Sequence, residues 1–356
     1  MIRAFDKWLL PYLKRRVPSA DRPVHVFLAV CDHFEPLHAS DKAGALERIA
    51  TWRNRFPELI DPFRDVDGER PKHTFFYPIE QYDPDLLEPI AALCRETGSE
   101  VEVHLHHQDD TPEGLREALE RGKVDFGRHG LLARDDSGAV RYGFIHGNWA
   151  LNHSHPEGIG CGVAREIPIL RETGCYADFT MPSAPSPTQA RTVNSVAYLS
   201  DLAGREALDR ADPARAGEGA ERRDRTDRLL MIQGPLALNW GWRKWGLVPR
   251  MENGDITGNN PPTRQRLDLA VSQAISAEGR PDWVFVKLHT HGGIERNFEM
   301  LLGEPMRAFH ESIAESDHWR LHYVTAREMA NFVHAAEDGK AGDPGEYRDY
   351  RFRIGE

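Results

Sequence analysis

Short apolar runs alternate with amphipathic segments along this chain, as in a sheet covered by helices. Runs that predict buried strands lie near residues 24–31, 73–77, 101–106, 140–146, 175–180, 229–233, 283–289 and 320–324. Apolar residues recur at helical spacing in residues 41–56, 84–97, 262–278, 297–316 and 325–336. Because strands that alternate with helices pair in parallel, the pattern predicts an α/β protein with a mostly parallel sheet.

The chain has 356 residues, which is enough for one large α/β domain. We expect an N-terminal helix in residues 1–22, a single catalytic domain in residues 23–337 and a polar C-terminal tail in residues 338–356. Residues from about 201 to 228 are rich in Arg, Asp, Glu and Ala, so they predict a surface insertion in that domain.

The net charge of −11 argues against nucleic acid as a partner, because phosphate binding needs clustered Lys and Arg. Four cysteines without Cys-x-x-Cys spacing fit a reducing compartment. The apolar stretch at residues 8–13 is shorter than a signal-peptide core, and its positive charges follow it. We therefore expect a cytoplasmic protein whose N-terminal helix packs on the domain or makes a peripheral contact with a membrane surface.

Acidic and imidazole side chains stand where the predicted strands end. In chain order they are Asp32 and His33, then His104, His106 and His107, then His146, Asp178, His289 and His291. Because sites in parallel α/β folds gather at the carboxyl ends of the strands, we expect these residues to converge.

His104 and His106 are the strongest indication of a metal. They lie two apart in a strand, so they face the same side, roughly 6.5–7 Å apart along the backbone. Imidazole with carboxylate suits zinc, iron, cobalt or nickel better than calcium or magnesium, and zinc is the preferred divalent metal here. A catalytic metal takes three protein ligands and keeps a position open, and Asp32 or His33 could supply the third.

A metal so held would lower the pKa of a water and polarise a carbonyl oxygen. Asp32 fits the group that removes the proton, and His289 fits the group that protonates the departing amine. Three further residues near the strand ends, Asn148, Trp149 and His291, are predicted to contact the substrate. Trp240, in an aromatic-rich segment, either lines a sugar-binding groove or fills the core.

The order of these motifs resembles the polysaccharide deacetylase family, also called the NodB-homology group or carbohydrate esterase family 4. Residues 30–36, Val-Cys-Asp-His-Phe-Glu-Pro, stand in place of the family's Thr-Phe-Asp-Asp-Gly. The resemblance implies that Asp32 is the general base and that His33 replaces the metal-binding Asp. His106 matches the first His of the family's His-x-x-x-His motif, whose second His falls on Asp110; whether Asp110 or His107 joins the ligands stays open.

The later motifs match more loosely and mark a divergent branch. The family's Arg-containing motif is replaced by residues 146–149, the Asp-aromatic motif resembles Asp178 with Phe179, and Leu-x-His resembles residues 288–290. The resemblance implies His289 as general acid, with His146 in place of the missing Arg and Asp178 orienting a neighbouring residue. It also implies a distorted (β/α) barrel of about seven strands.

These observations predict a metal-dependent hydrolase that deacetylates an N-acetylated amino sugar in a glycan or glycan precursor. Two alternatives stay open. A glycosidase on a related barrel would use two acids, with Glu35, Asp110 and Asp178 as candidates. A non-catalytic glycan-binding protein would keep a degraded site.

Overall fold

The computed structural model describes residues 2–21, 23–219 and 227–355, and over them the chain is a mixed α/β protein. The strands are β1 (Val24–His33), β2 (Thr74–Pro78), β3 (Glu100–Leu105), β4 (Ala133–Arg134), β5 (Val140–His146), β6 (Cys175–Asp178), β7 (Val196–Ser200), β8 (Asp212–Pro213), β9 (Arg228–Ile232), β10 (Ala237–Lys244), β11 (Val248–Glu252), β12 (Trp283–Thr290), β13 (Trp319–Tyr323) and β14 (Arg353–Ile354). The α-helices are α1 (Phe5–Lys14), α2 (Lys42–Ile60), α3 (Pro84–Thr97), α4 (Pro112–Gly127), α5 (Glu166–Glu172), α6 (Glu206–Asp209), α7 (Arg264–Ser272), α8 (Phe298–Leu302), α9 (Glu304–Ile313) and α10 (Ala326–Glu337). No helix among these residues is long and apolar enough to cross a membrane.

Twelve of these strands form one sheet in the order β12-β1-β2-β3-β5-β6-β9-β7-β8, with β13 also paired to β1 and the short β4 and β14 at one side. The neighbours from β12 to β9 pair in parallel, whereas β7 runs antiparallel to β9. The predicted parallel α/β sheet is thus confirmed, and each predicted strand run is a strand. No pairing among the described residues closes the sheet into a barrel.

The alternation of side chains along β1 divides the core into two layers. Val26 and Leu28 face one side, where α2 and α3 pack on the sheet. Phe27 faces the other side and lies 4.4 Å, between ring centroids, from Phe332 of α10. The helix α10 therefore covers the second side near the strand starts, which leaves the strand ends on that side for other residues.

Local sequence sets the ends of these helices. Asp83 caps α3 through the backbone N–H of Asp85, and Gly98 ends it with a φ of 71°, which favours glycine. Thr325 and Glu328 form a reciprocal capping box at the start of α10.

Two predicted terminal or inserted segments are partly ordered against the domain. In the segment predicted as a surface insertion, Ala207 and Leu208 of α6 are buried, whereas residues 220–226 lie outside the described residues. The C-terminal segment is held by Arg327, which pairs with Glu100 at 2.7 Å and donates to the carbonyl of Phe352 at 2.6 Å.

Asn331 anchors the same segment with four hydrogen bonds. Its amide donates to the carbonyls of Arg348 and Phe352 at 2.7 and 2.8 Å, and its oxygen accepts the N–H groups of Arg351 and Phe352 at 3.0 Å. Because Asn331 is fully buried, Asn331→Ala leaves backbone groups without partners and should lower the free energy of unfolding by roughly 2–4 kcal/mol. Urea unfolding measures this change, and Asn54→Ala on the exposed face of α2 is the matched control. Equal stability of the two variants would contradict the anchor.

Candidate metal centre

Five histidines meet at the strand ends on the side of the sheet that α10 leaves uncovered. The ring of His33, at the end of β1, lies 4.8 Å from that of His104 on β3 and 4.9 Å from that of His291. The ring of His289 on β12 lies 6.4 Å from His33, and the ring of His106 lies 4.7 Å from His104. Residues far apart in sequence are thus neighbours here because parallel strands end at one edge.

Glu35 joins two of these histidines through one oxygen atom. Its Oε1 lies 3.2 Å from Nε2 of His104 and 3.2 Å from Nε2 of His106. The opposite nitrogen of each ring has an acceptor: Nδ1 of His104 donates to the carbonyl of Ile145 at 3.0 Å, and Nδ1 of His106 donates to Glu80 at 2.7 Å. Those acceptors fix the ring orientation and direct both Nε2 atoms toward the same point.

The spacing of these three ligand atoms suits zinc. Zinc binds imidazole nitrogen and carboxylate oxygen at about 2.0–2.2 Å in a tetrahedral arrangement, which separates neighbouring ligand atoms by about 3.3 Å. The two separations of 3.2 Å from the Glu35 oxygen match that edge. We call Glu35, His104 and His106 the primary trio.

His33 and His291 form a second trio with the same Glu35, and its ligand atoms also lie within 4.8 Å of one another. Neither ring nitrogen of the buried His33 has a hydrogen-bond partner among the described residues. A buried N–H without an acceptor costs about 1–3 kcal/mol, so His33 is placed to bind a group that the described side chains do not supply. A metal ion would bind the lone pair of the other ring nitrogen.

The charges at the centre separate neutral from charged imidazoles. Burial lowers the pKa of His33 well below its ordinary value, and the neighbouring His104, His291 and His289 lower it further. Burial likewise lowers the pKa of His289, and the positive charge of Lys287 adds to the effect. Both rings are therefore neutral at pH 7 and keep a lone pair for a ligand or a proton.

The Glu35 carboxylate, between His104 and His106, keeps its charge although it is largely buried. Burial would raise the pKa of Glu35, but hydrogen bonds from His104 and His106 outweigh it and hold the pKa below its usual range. Burial would lower the pKa of His106, but Glu35 and Glu80 raise it to about 9. The Glu35 carboxylate is thus anionic, as a metal ligand must be.

Trp149 forms an aromatic wall of the centre. Its ring stacks on His33 at 4.4 Å and lies 5.2 Å from His289. The backbone of Trp149 has a φ of 60°, a left-handed conformation that costs about 1–2 kcal/mol for a side chain of this kind. The preceding Gly147 allows the close approach of His106, since a Cβ there would lie 2.4 Å from the His106 ring.

Asp32 faces away from the histidines. Its Oδ2 binds Nε2 of His73 at 2.8 Å and its Oδ1 accepts the N–H of Gly292 at 2.6 Å. It is fully buried beside Trp52, on the side of β1 that α2 covers. The structure therefore places Asp32 where it holds the loop of His291 and Gly292, and places His33 at the ligand cluster.

No ring contact or hydrogen bond among the described residues joins His146 or Asp178 to the five histidines. His146 follows Phe144 on the helix-covered side of β5, with its ring 4.8 Å from that of His107. Asp178 accepts from the Thr180 hydroxyl at 2.7 Å, and burial raises the pKa of Asp178 to about 7.

His107, His146 and Glu166 form a further group with metal-like spacing. His107 lies between two carboxylates, 3.0 Å from Asp110 and 3.1 Å from Glu166. Nδ1 of His146 accepts the N–H of Asn148 at 3.2 Å, so the ring proton of neutral His146 is on Nε2, which leaves that nitrogen without a lone pair for a metal. We therefore interpret His107 with Asp110 and Glu166 as a structural ion pair.

The remaining predicted substrate residues differ in position. Asn148 donates its amide to the carbonyls of His107 and Gly160, at 3.2 and 3.3 Å, so it holds loops together. Trp240 is exposed on β10 beside Arg243, and no contact recorded for the described residues joins it to the five histidines. His291 lies at the centre.

Two residues of the centre were not among the predicted metal ligands or their supports. Glu35 follows the end of β1 by two residues, and its only predicted role was as a glycosidase acid. Glu80 lies in a short 3-10 helix directly after β2. The polar residues that follow β2 could have revealed Glu80, since the neighbouring strand ends supplied the other candidates.

A scan against models of protein families and a search of curated proteins each found no match to this chain. The resemblance to polysaccharide deacetylases therefore rests on the motifs quoted above.

Removal of a primary ligand should weaken metal binding strongly. We expect the purified protein to bind one or two equivalents of zinc, and His104→Ala to lower the affinity by at least about a hundredfold because one of three ligands is lost. Elemental analysis and zinc titration calorimetry measure this. His310→Ala is the control, because His310 is also buried but bonds to Tyr323 instead. Stoichiometric, tightly held metal in His104→Ala would exclude the primary trio.

Loss of a supporting acceptor should give a smaller effect. Glu80→Ala removes the carboxylate that orients His106 but no proposed ligand, so the zinc affinity should fall by about 10–100-fold with unchanged stoichiometry. The same titration measures it, with Glu88→Ala as control, because Glu88 binds His129 outside the centre. An affinity equal to that of the unaltered protein would show that Glu80 does not orient a ligand.

Proposed function

We propose that this chain is a metal-dependent hydrolase that removes the acetyl group from an N-acetylated amino sugar. The observation that carries the proposal is the convergence of two oriented imidazoles on one carboxylate oxygen of Glu35. The proposal includes the predicted distorted (β/α) barrel of about seven strands, for which the meeting of β1, β3 and β12 side chains across one side of the sheet is support.

Glu35, His104 and His106 would hold the metal, with His33 and His291 as further ligands. When bound, a divalent metal such as zinc lowers the pKa of a water to about 7 and polarises the amide carbonyl. The neutral, buried residues around it decide which proton moves.

His289 is the group best placed to move that proton. Its Nδ1 is buried and has no partner among the described residues, and its Nε2 lies 3.9 Å from a carboxylate oxygen of Asp255. That carboxylate favours the tautomer with the proton on Nε2, which leaves the Nδ1 lone pair free to accept a proton from water and pass it to the departing amine. His289 thereby takes both roles that the sequence divided between Asp32 and His289.

Trp149 supports a sugar as the substrate. Its ring forms one wall of the centre beside His33 and His289, and a flat aromatic face complements the apolar face of a sugar ring. The four cysteines are free and buried, which fits the proposed cytoplasmic location.

Acetate release from N-acetylglucosamine oligomers tests the proposal. Activity should disappear on dialysis against a chelator and return with zinc. His289→Ala should retain the metal while kcat falls by about 10²–10⁴-fold, as expected for loss of a general base and acid. His310→Ala should retain both metal and kcat.

Three results would contradict the proposal. Release of reducing sugar that survives the chelator would indicate the glycosidase. Sugar binding without acetate release by the zinc-loaded protein would indicate a non-catalytic glycan-binding protein. A His289→Ala variant with unchanged kcat would remove His289 from the reaction.

A further inference from the structure

The hairpin of β10 and β11 exposes large apolar side chains at its tip. Trp245 and Leu247 are each 78% exposed, and Trp240 and Val248 are 56% and 52% exposed. Exposing such side chains to water is unfavourable unless a partner covers them. Four of them lie on one short hairpin and are therefore not scattered singly over the surface.

The helix α1 exposes a second apolar stripe. It packs on the domain through Trp8, which is fully buried. Leu10 and Leu13 of α1 are 58% and 65% exposed, and Val17, in the irregular segment after the helix, is 52% exposed.

The helix and the hairpin share one small core. Trp8 of α1 is buried in a cluster with Val193 and Leu236, and Leu238 of β10 and Met251 of β11 pack against that cluster. The helix α1 and the base of the hairpin are therefore adjacent, although more than two hundred residues separate them in sequence. We call them together the α1–hairpin surface.

This surface is basic on an acidic protein. Residues 3–18 and 237–251 together contain eight Lys and Arg residues and one acidic residue, whereas the whole chain has a net charge of −11. In the hairpin, Lys244 lies 4.3 Å from the ring of Trp245 and Arg250 lies 3.7 Å from that of Trp242. Cations and aromatic rings thus alternate at its tip.

A cleft at the end of α1 has the same charge. It has a volume of about 650 Å³ and is lined by Lys14, Arg15, Arg16 and Arg191, with Glu278 as its acidic residue. Arg215 pairs with that carboxylate at 2.7 Å, so the cleft favours anions.

We infer that the α1–hairpin surface binds a membrane that contains anionic lipids. Tryptophan and leucine side chains insert at the headgroup boundary, while Lys and Arg attract anionic lipid, and the surface presents both on adjacent elements. The charge disfavours a symmetric contact with a second copy of this chain, because like charges would meet across it. The inference goes beyond the proposed hydrolase and does not depend on it.

Vesicle sedimentation with the full chain tests the inference. The protein should sediment with phosphatidylcholine vesicles in which a third of the lipid is phosphatidylglycerol, and binding should weaken with rising salt. The double variant Trp245→Ser and Leu247→Ser should bind at least about tenfold more weakly, because two inserted side chains are lost. Arg243→Glu with Lys244→Glu should lose the preference for phosphatidylglycerol.

The control replaces the same kinds of residue on α4: Val124→Ser, which is 59% exposed in the native chain, together with Arg121→Glu. It should bind like the unaltered protein. Unaltered binding by the Trp245 and Leu247 variant, no sedimentation at low salt, or a dimer in solution that this variant abolishes would each overturn the inference. Zinc content and acetate release are measured on the same variants. A variant that loses vesicle binding but keeps both would show that the membrane inference and the proposed function are tested independently.

Discussion

The candidate centre depends on the anionic Glu35 carboxylate between two imidazoles. A buried carboxylate is costly unless it is paired, and Oε1 of Glu35 lies 3.2 Å from Nε2 of both His104 and His106, of which His106 carries the positive charge because its pKa is raised to about 9. Each ring is in turn fixed by its own acceptor, so neither can turn away. The same arrangement leaves His33 beside them without any partner among the described residues, which is favourable only if a ligand completes the site.

The mostly parallel α/β sheet and the meeting of the histidines could be predicted from the sequence, because the alternation of side chains along each strand and the positions where the strands end indicate both. In β12, Lys287 and His289 share one face, and His291 continues it, as the alternation of a strand requires. Parallel pairing of β12 with β1 then brings His289 beside Cys31 in register, and so close to His33. The strand pattern predicts which residues share a face, whereas the pairing of β12 with β1 comes from the structure.

The sequence could not decide which of Asp32 and His33 joins the metal centre, since this depends on which face of β1 the helices cover. Asp32 and His33 are adjacent, so one must face the helices and the other the open strand ends, and the sequence alone permits either. Packing decides it: Trp52 of α2 donates to the carbonyl of Gly292 at 2.7 Å, and Asp32 binds the N–H of the same residue. Asp32 is therefore a positioning residue for the loop after β12. The alternation of side chains along a strand could not place Glu35, because Glu35 follows β1 in a loop.

The α1–hairpin surface and the metal centre are joined by a short stretch of backbone. After β11, the carbonyl of Gly254 accepts the N–H of His289 at 2.9 Å, and the N–H of Ile256 donates to the carbonyl of His289 at 2.8 Å. Asp255, between them, has a carboxylate oxygen 3.9 Å from Nε2 of His289. The segment that leaves the hairpin thus holds the backbone of the proposed proton carrier and brings a negative charge near its ring.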